Sequence, residues 1–190
     1  MIRPDRLLRR ALVCMGLLLS TTLVAGLATD ANAQGRSKAA ARAAAPAGGQ
    51  SVGTYGDWGV YVSRNGRGKV CYALSHPKVR LPKGLNRDPG YVFVSARPAD
   101  GVRNEIAWGL GFSAKPDGEV LIDGAGQPVV TRGESAWLRD ASQEGPTVAA
   151  MTRGTKLALK VQSQRGNSLT DEYSLRGFTQ AMERVRKECP

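Results

Sequence analysis

Tyr55-Gly56-Asp57-Trp58-Gly59-Val60-Tyr61-Val62, followed by Lys69-Val70-Cys71-Tyr72-Ala73-Leu74, is the stretch whose reading decides the fold. Gly56-Asp57 has turn chemistry, and Trp58, Val60 and Val62 then fall on one face of an extended segment with Tyr61 on the other. Asn65-Gly66, flanked by Arg64 and Arg67, turns the chain back into a second strand over residues 70–74. Two antiparallel strands joined by a tight turn set the expectation for everything that follows.

Downstream the period stays mostly two. Short strands are expected over residues 91–95, 104–113, 119–122 and 135–138, with Pro116-Asp117-Gly118 and Asp123-Gly124-Ala125-Gly126 as turns between them. In 104–113, Ile106, Trp108, Leu110 and Phe112 alternate with Ala107, Gly109 and Gly111, which predicts a strand closely approached on its small-residue face. Residues 77–89 read as a loop punctuated by Pro, Gly and Asn. Pro146 in the first turn and Gly154 past the end frame a short helix over 147–153. Leu157, Leu159 and Val161 alternate with Lys156, Lys160 and Gln162, and the Arg165-Gly166-Asn167 turn returns the chain through residues 169–173. Ser174 is placed to cap a last helix carrying Leu175, Phe178, Met182 and Val185 three or four apart, a series that continues to Cys189. Regular short strands with two interrupting helices predict a β-sandwich or barrel with a terminal helix packed on it.

Upstream, the chain reads as an address and a tether. Arg3, Arg6, Arg9 and Arg10 precede an uncharged apolar run, which ends in Ala31-Asn32-Ala33 before Gln34. That is the layout of a secretory signal peptide over residues 1–33, cleaved between Ala33 and Gln34 and exported by the Sec pathway. The apolar run is shorter than the roughly 20 residues that span a bilayer, so no transmembrane segment is expected after cleavage. Residues 34–51 are Ala, Gly, Ser, Pro, Gln and basic residues without a single large apolar side chain, which predicts a flexible tether. Residues 52–190 are then a single domain, small enough for one core.

Cleavage takes Cys14 with the signal and leaves Cys71 and Cys189 in an oxidising compartment, where an even count argues for a disulfide. The helical spacing that puts Cys189 on a buried face supports the same pairing; two free structural thiols are the alternative. Such a bridge would close a loop worth about 4.7 kcal/mol in the chain-entropy model. The charge is +11; losing four arginines and two aspartates with the signal leaves +9, of which Arg36, Lys38 and Arg42 carry three. An exported cation of this kind is drawn to anionic envelope surfaces. Arg64, Arg67 and Lys69, with Lys78, Arg80, Lys83 and Arg87, form a candidate polyanion rim at one end of the sandwich; the competing reading is a merely solvated surface.

Catalysis finds little support. His76 is the only histidine; Ser75 beside it points away on an extended backbone, so no hydrolytic triad is expected. The carboxylates sit mostly at turns and helix ends, with no pair singled out for glycoside chemistry. Two sulfurs and one histidine make no zinc site, Asp123-Gly124-Ala125-Gly126 lacks calcium-loop spacing, and Gly109-Leu110-Gly111 has no following helix to cradle phosphate. No cofactor or metal is expected. Trp58, Trp108, Trp137 and Phe178 read as core rather than as a base-stacking platform, so nucleic acid is not an expected partner.

Gly56-Asp57-Trp58, the cysteine-bearing strand after it, and Tyr173-Ser174-Leu175-Arg176-Gly177-Phe178-Thr179-Gln180-Ala181 resemble the invasion-associated locus B family over roughly residues 52–189. The resemblance implies an immunoglobulin-like β-sandwich in the periplasm, secreted or at the outer envelope of an alphaproteobacterium. It also implies a link to host-cell invasion in pathogens and no enzymatic activity. Where many members carry a cysteine shortly after the Trp, this chain has Val60-Tyr61-Val62, leaving Cys71 to pair with Cys189. The expectation is therefore a non-enzymatic exported protein that binds anionic envelope components or a protein partner. An envelope enzyme acting on a polyanionic glycan and a periplasmic assembly or chaperone-like module are the alternatives.

Overall fold

A computed structural model describes residues 49–66 and 68–190. The signal peptide, its cleavage site at Ala33 and Gln34, most of the tether and Arg67 lie outside the described residues. The elements are β1 (Gln50–Tyr55), β2 (Trp58–Asn65), β3 (Gly68–Ser75), β4 (Val79–Leu81), β5 (Tyr91–Arg97) and β6 (Val102–Gly109). They continue with β7 (Ala114–Ile122), β8 (Ala125–Arg132), β9 (Ser135–Leu138), α1 (Glu144–Arg153), β10 (Lys156–Ser163), β11 (Ser168–Ser174) and α2 (Phe178–Glu188). The strands run in the order β1-β2-β3-β5-β6-β9-β8-β7-β10-β11-β4, antiparallel throughout. The fold is the mainly β sandwich with a short helix and a C-terminal helix, its two halves continuous through β9 and β8.

Cross-strand register explains the core. Val60 faces Ala73, Ala73 faces Val94, and Val94 faces Ile106; two residues along on the same face, Val92 faces Trp108 and Trp108 faces Ala136. These rows join Val120, Leu157, Leu159, Leu169 and Tyr173 from the other half in a single buried cluster. Phe178, Ala181, Met182 and Val185 put α2 into the same cluster, each large apolar side chain contributing about 1.5–3 kcal/mol by burial. Cys189 follows on that face and is joined to Cys71 in a disulfide. Arg186 and Lys187 sit in the last helical turn, where the helix dipole favours cations.

Several local expectations are corrected. β1 begins at Gln50, within the stretch read as tether, because residues 50–55 pair with β2. Val79–Leu81 is a strand rather than loop, paired with β11. Pro116 and Asp117 lie inside β7 as an irregularity, Asp117 having φ 73°, rather than forming a turn between strands. Ser174 does not cap α2: it ends β11, Leu175 is buried before the helix, and Gly177 with φ 89° stands at the helix start. Trp137 leaves the core as well. It sits on the outer face with Tyr61, Tyr72, Tyr91 and Phe93, opposite Ala107 in the ladder. The small-residue face of β6 is the one the Tyr91 ring approaches, occupying the place a side chain at Gly109 would need.

Candidate functional site

The two sequence motifs meet. Asp57 N–H donates to the Arg176 carbonyl at 3.0 Å, and Trp58 Nε1–H donates to the Ser174 carbonyl at 3.0 Å. The Trp58 ring lies 4.7 Å from that of Phe178. The Asp57 carboxylate is paired with Lys78 at 2.7 Å and Arg176 at 3.3 Å. The Lys78 ammonium first, then Ser174 and Arg176, holds its carboxyl well below the usual carboxylate range. Gly56 and Gly177 let the two backbones touch, since a side chain at Gly177 would overlap the Tyr55 carbonyl. The polar groups at this junction are turned on one another, so it closes the fold and offers a ligand little.

The basic residues read as one rim are divided. Arg64 faces Lys69 across the β2–β3 hairpin, and Lys69 pairs with Glu188 at 3.1 Å beside the disulfide. Lys78, Arg80, Lys83 and Arg87 follow the opposite end of β3, about 25 Å away at the rise of an eight-residue strand. Within this second group the roles differ. Lys78 is held by Asp57, and Lys83 is exposed on the loop.

Arg80 and Arg87 converge on one carboxylate. Arg80 Nε donates to both oxygens of Asp171 at 3.0 and 3.1 Å. Its Nη1 and Nη2 donate to the Asp88 and Leu110 carbonyls, each at 2.7 Å, so Arg80 pins the 82–90 loop and the end of β6 to β11. Arg87 Nη1 donates to the same Asp171 at 3.3 Å and Nη2 to the Pro82 carbonyl at 3.2 Å. The side chains of Arg87 and Asp171 are 7% and 5% exposed, so two guanidiniums share one carboxylate away from bulk water and one positive charge is left over. Burial, then the Arg80 charge, pushes the Arg87 guanidinium below its usual range, while Asp171 acts in the opposite sense.

Arg87 opens onto a cavity of about 460 Å³. One wall is the 82–90 loop, with Leu85 and Asn86; another is the β6–β7 connection, with Phe112 and Ser113. The third is the β10–β11 hairpin, with Gln164, Arg165, Asn167 and Leu169. Backbone pairing fixes all three walls. Asp88 N–H donates to the Gly111 carbonyl at 3.1 Å, and Gln164 N–H donates to that of Ser113 at 2.9 Å. Gln164 Nε2 reaches the Ala114 carbonyl at 2.7 Å, and the Ser163 hydroxyl accepts from Asn167 N–H at 3.1 Å. Gly111, with φ 71°, lets the Asp88 carbonyl approach where a side chain would stand. The volume lies in the range of small-molecule sites, and the lining mixes one aromatic ring, amides and two guanidiniums.

Sequence reading placed Arg80 and Arg87 in a basic loop but missed Asp171, Phe112 and Arg165 as their company. A signal was present. Leu169, Asp171 and Tyr173 share the inward period of β11, so an acid falls on the buried face, where it requires partners.

The remaining candidate chemistry is dispersed. His76 Nδ1 lies 2.9 Å from the Gly90 carbonyl with its ring edge-on to Tyr91, while the buried Ser75 hydroxyl donates to the Asp57 carbonyl at 2.7 Å. Among the described residues no group of three or more His, Cys, Asp or Glu is placed to hold a metal, and no helix is long and apolar enough to cross a membrane.

The sequence matches no family model and no curated relative. Among solved structures, the chain is similar to the crystal structure of invasion-associated protein B from Bartonella henselae. The two share 20% identity with a TM-score of 0.48, the match covering 71% of this chain and 95% of the other.

Proposed function

We propose that this chain is an exported, non-enzymatic envelope protein of the invasion-associated locus B type that acts by binding, with the Arg87 cavity as its site. The observation that carries the reading is the cavity itself: three walls fixed by backbone pairing around a guanidinium whose charge is only half compensated. The leader-like N-terminus, the net positive charge and the Cys71–Cys189 bridge support export to an oxidising, anion-rich compartment. The family motifs support the type through their sequence resemblance, while their own contacts are spent on the β1–β2 turn and the start of α2.

Two measurements test this. Fractionation of cells expressing the native gene should place the chain outside the cytoplasm, without residues 1–33; a full-length cytoplasmic protein overturns the reading. The mature chain used as bait on envelope extract should retain a discrete component at about 0.15 M salt and above. Loss of all retained material as salt is raised, before about 0.15 M is reached, would mean nonspecific charge attraction and would also overturn it.

A further inference from the structure

We propose that the Arg87 cavity holds a sugar residue bearing one anionic group, a carboxylate or a phosphate, with the anion on Arg87 and Arg165 and a sugar face on Phe112. The inference rests on the reading of this cavity as a binding site and adds the ligand's chemistry. Charge supplies the first argument. The charged groups acting on Arg87 are Arg80 and Asp171; Arg80 satisfies both Asp171 oxygens, and Arg87 Nε carries no hydrogen bond among the described residues. Arg165, on the exposed β10–β11 turn, has no ion pair among the described residues. Two guanidiniums line one cavity, Arg87 sharing its carboxylate with Arg80 and Arg165 in no ion pair among the described residues, and both suit a single carboxylate or phosphate.

Shape and lining supply the second argument. A cavity of about 460 Å³ suits one or two sugar rings, whereas a polyanion strand needs an open basic groove, and the basic residues read as one rim are divided between the two ends of β3. Asn86, Asn167 and the carbonyl side of Gln164 offer paired donors and acceptors of the kind hydroxyl groups match. Phe112 offers an apolar plane beside them, and Leu85, an exposed leucine, closes the rim.

The test uses the mature chain labelled with ¹⁵N and titrated in parallel with glucuronate, glucose 6-phosphate and glucose. Saturable shifts at residues 86–87, 112–113 and 164–167 are expected with an anionic sugar and not with glucose. The stronger of the two anionic arms then identifies carboxylate or phosphate as the natural group. Arg165→Met, at an exposed position, should keep its thermal midpoint and weaken binding at least about tenfold, and Arg87→Met should weaken binding by at least as much. Lys83→Met, on the same loop but outside the cavity lining, should leave binding unchanged. Glucose binding as well as glucuronate, no saturable shift with any of the three, or equal losses in Lys83→Met and Arg165→Met would each overturn the proposal. Retention of another envelope component by bait that ignores all three sugars would overturn this inference alone and leave the binding-protein reading standing.

Discussion

Trp58 and Trp108 are both fully buried, yet they differ in what their indole N–H groups find. Trp58 Nε1–H donates to the Ser174 carbonyl, whereas Trp108 Nε1 is the one buried side-chain polar atom without a partner among the described residues. Replacing either with Phe removes similar volume and creates a similar cavity. Only Trp58→Phe also leaves a carbonyl unpaired, while Trp108→Phe deletes a donor that was unsatisfied already. Trp58→Phe is therefore expected to cost about 1–2 kcal/mol more than Trp108→Phe, read as the difference in urea midpoint at equal m-value. Equal costs would mean that the Trp58–Ser174 bond contributes nothing net to closing β2 against β11.

At the scale of elements, the junction between the β1–β2 turn and the start of α2 depends on backbone approach. Gly177 and Gly166 share φ 89°, which isolates the effect. A side chain at Gly166 meets open space, so Gly166→Ala should cost only the left-handed strain, about 1 kcal/mol. At Gly177 the added methyl meets the Tyr55 carbonyl and the Gly56 nitrogen, so Gly177→Ala must also push the turn off the helix. Its expected loss exceeds that of Gly166→Ala by at least about 2 kcal/mol in chemical denaturation. The same pair shows what is legible in the chain. Gly56-Asp57-Trp58 is readable as a turn and the Phe178, Met182, Val185 spacing as a helix, though a cap at Ser174 sets its start three residues early, and period two assigns Val60 and Val62 to one face. That Gly56 and Gly177 touch depends on a contact across 121 positions, which no local period encodes. The cavity is hidden for the same reason: Arg87, Phe112 and Arg165 come from three separate connections, and only Asp171, an acid in an inward position, marks the place.

For the whole molecule, the Cys71–Cys189 bridge spans 118 residues and clasps the end of α2 to β3 on the inner face of the sheet. Its main effect falls on the unfolded chain, which without it gains the freedom of a long loop. In the native state both sulfurs are buried in a core already filled by Phe178, Met182 and Val185, and Lys69 holds Glu188 beside them, so α2 has reason to stay docked after reduction. Two consequences separate these contributions. Reduction, or the Cys71→Ala/Cys189→Ala pair, should lower unfolding stability by about 2–5 kcal/mol and raise the m-value, because a denatured chain freed of its loop exposes more surface. The far-UV and near-UV spectra of the reduced protein at 25 °C should stay close to those of the oxidised form, since α2 is retained by its apolar face. An unchanged m-value together with loss of the aromatic near-UV signal would invert the account. The bridge would then be holding the native helix in place, and the Trp58–Phe178 contact would be its consequence rather than an independent anchor.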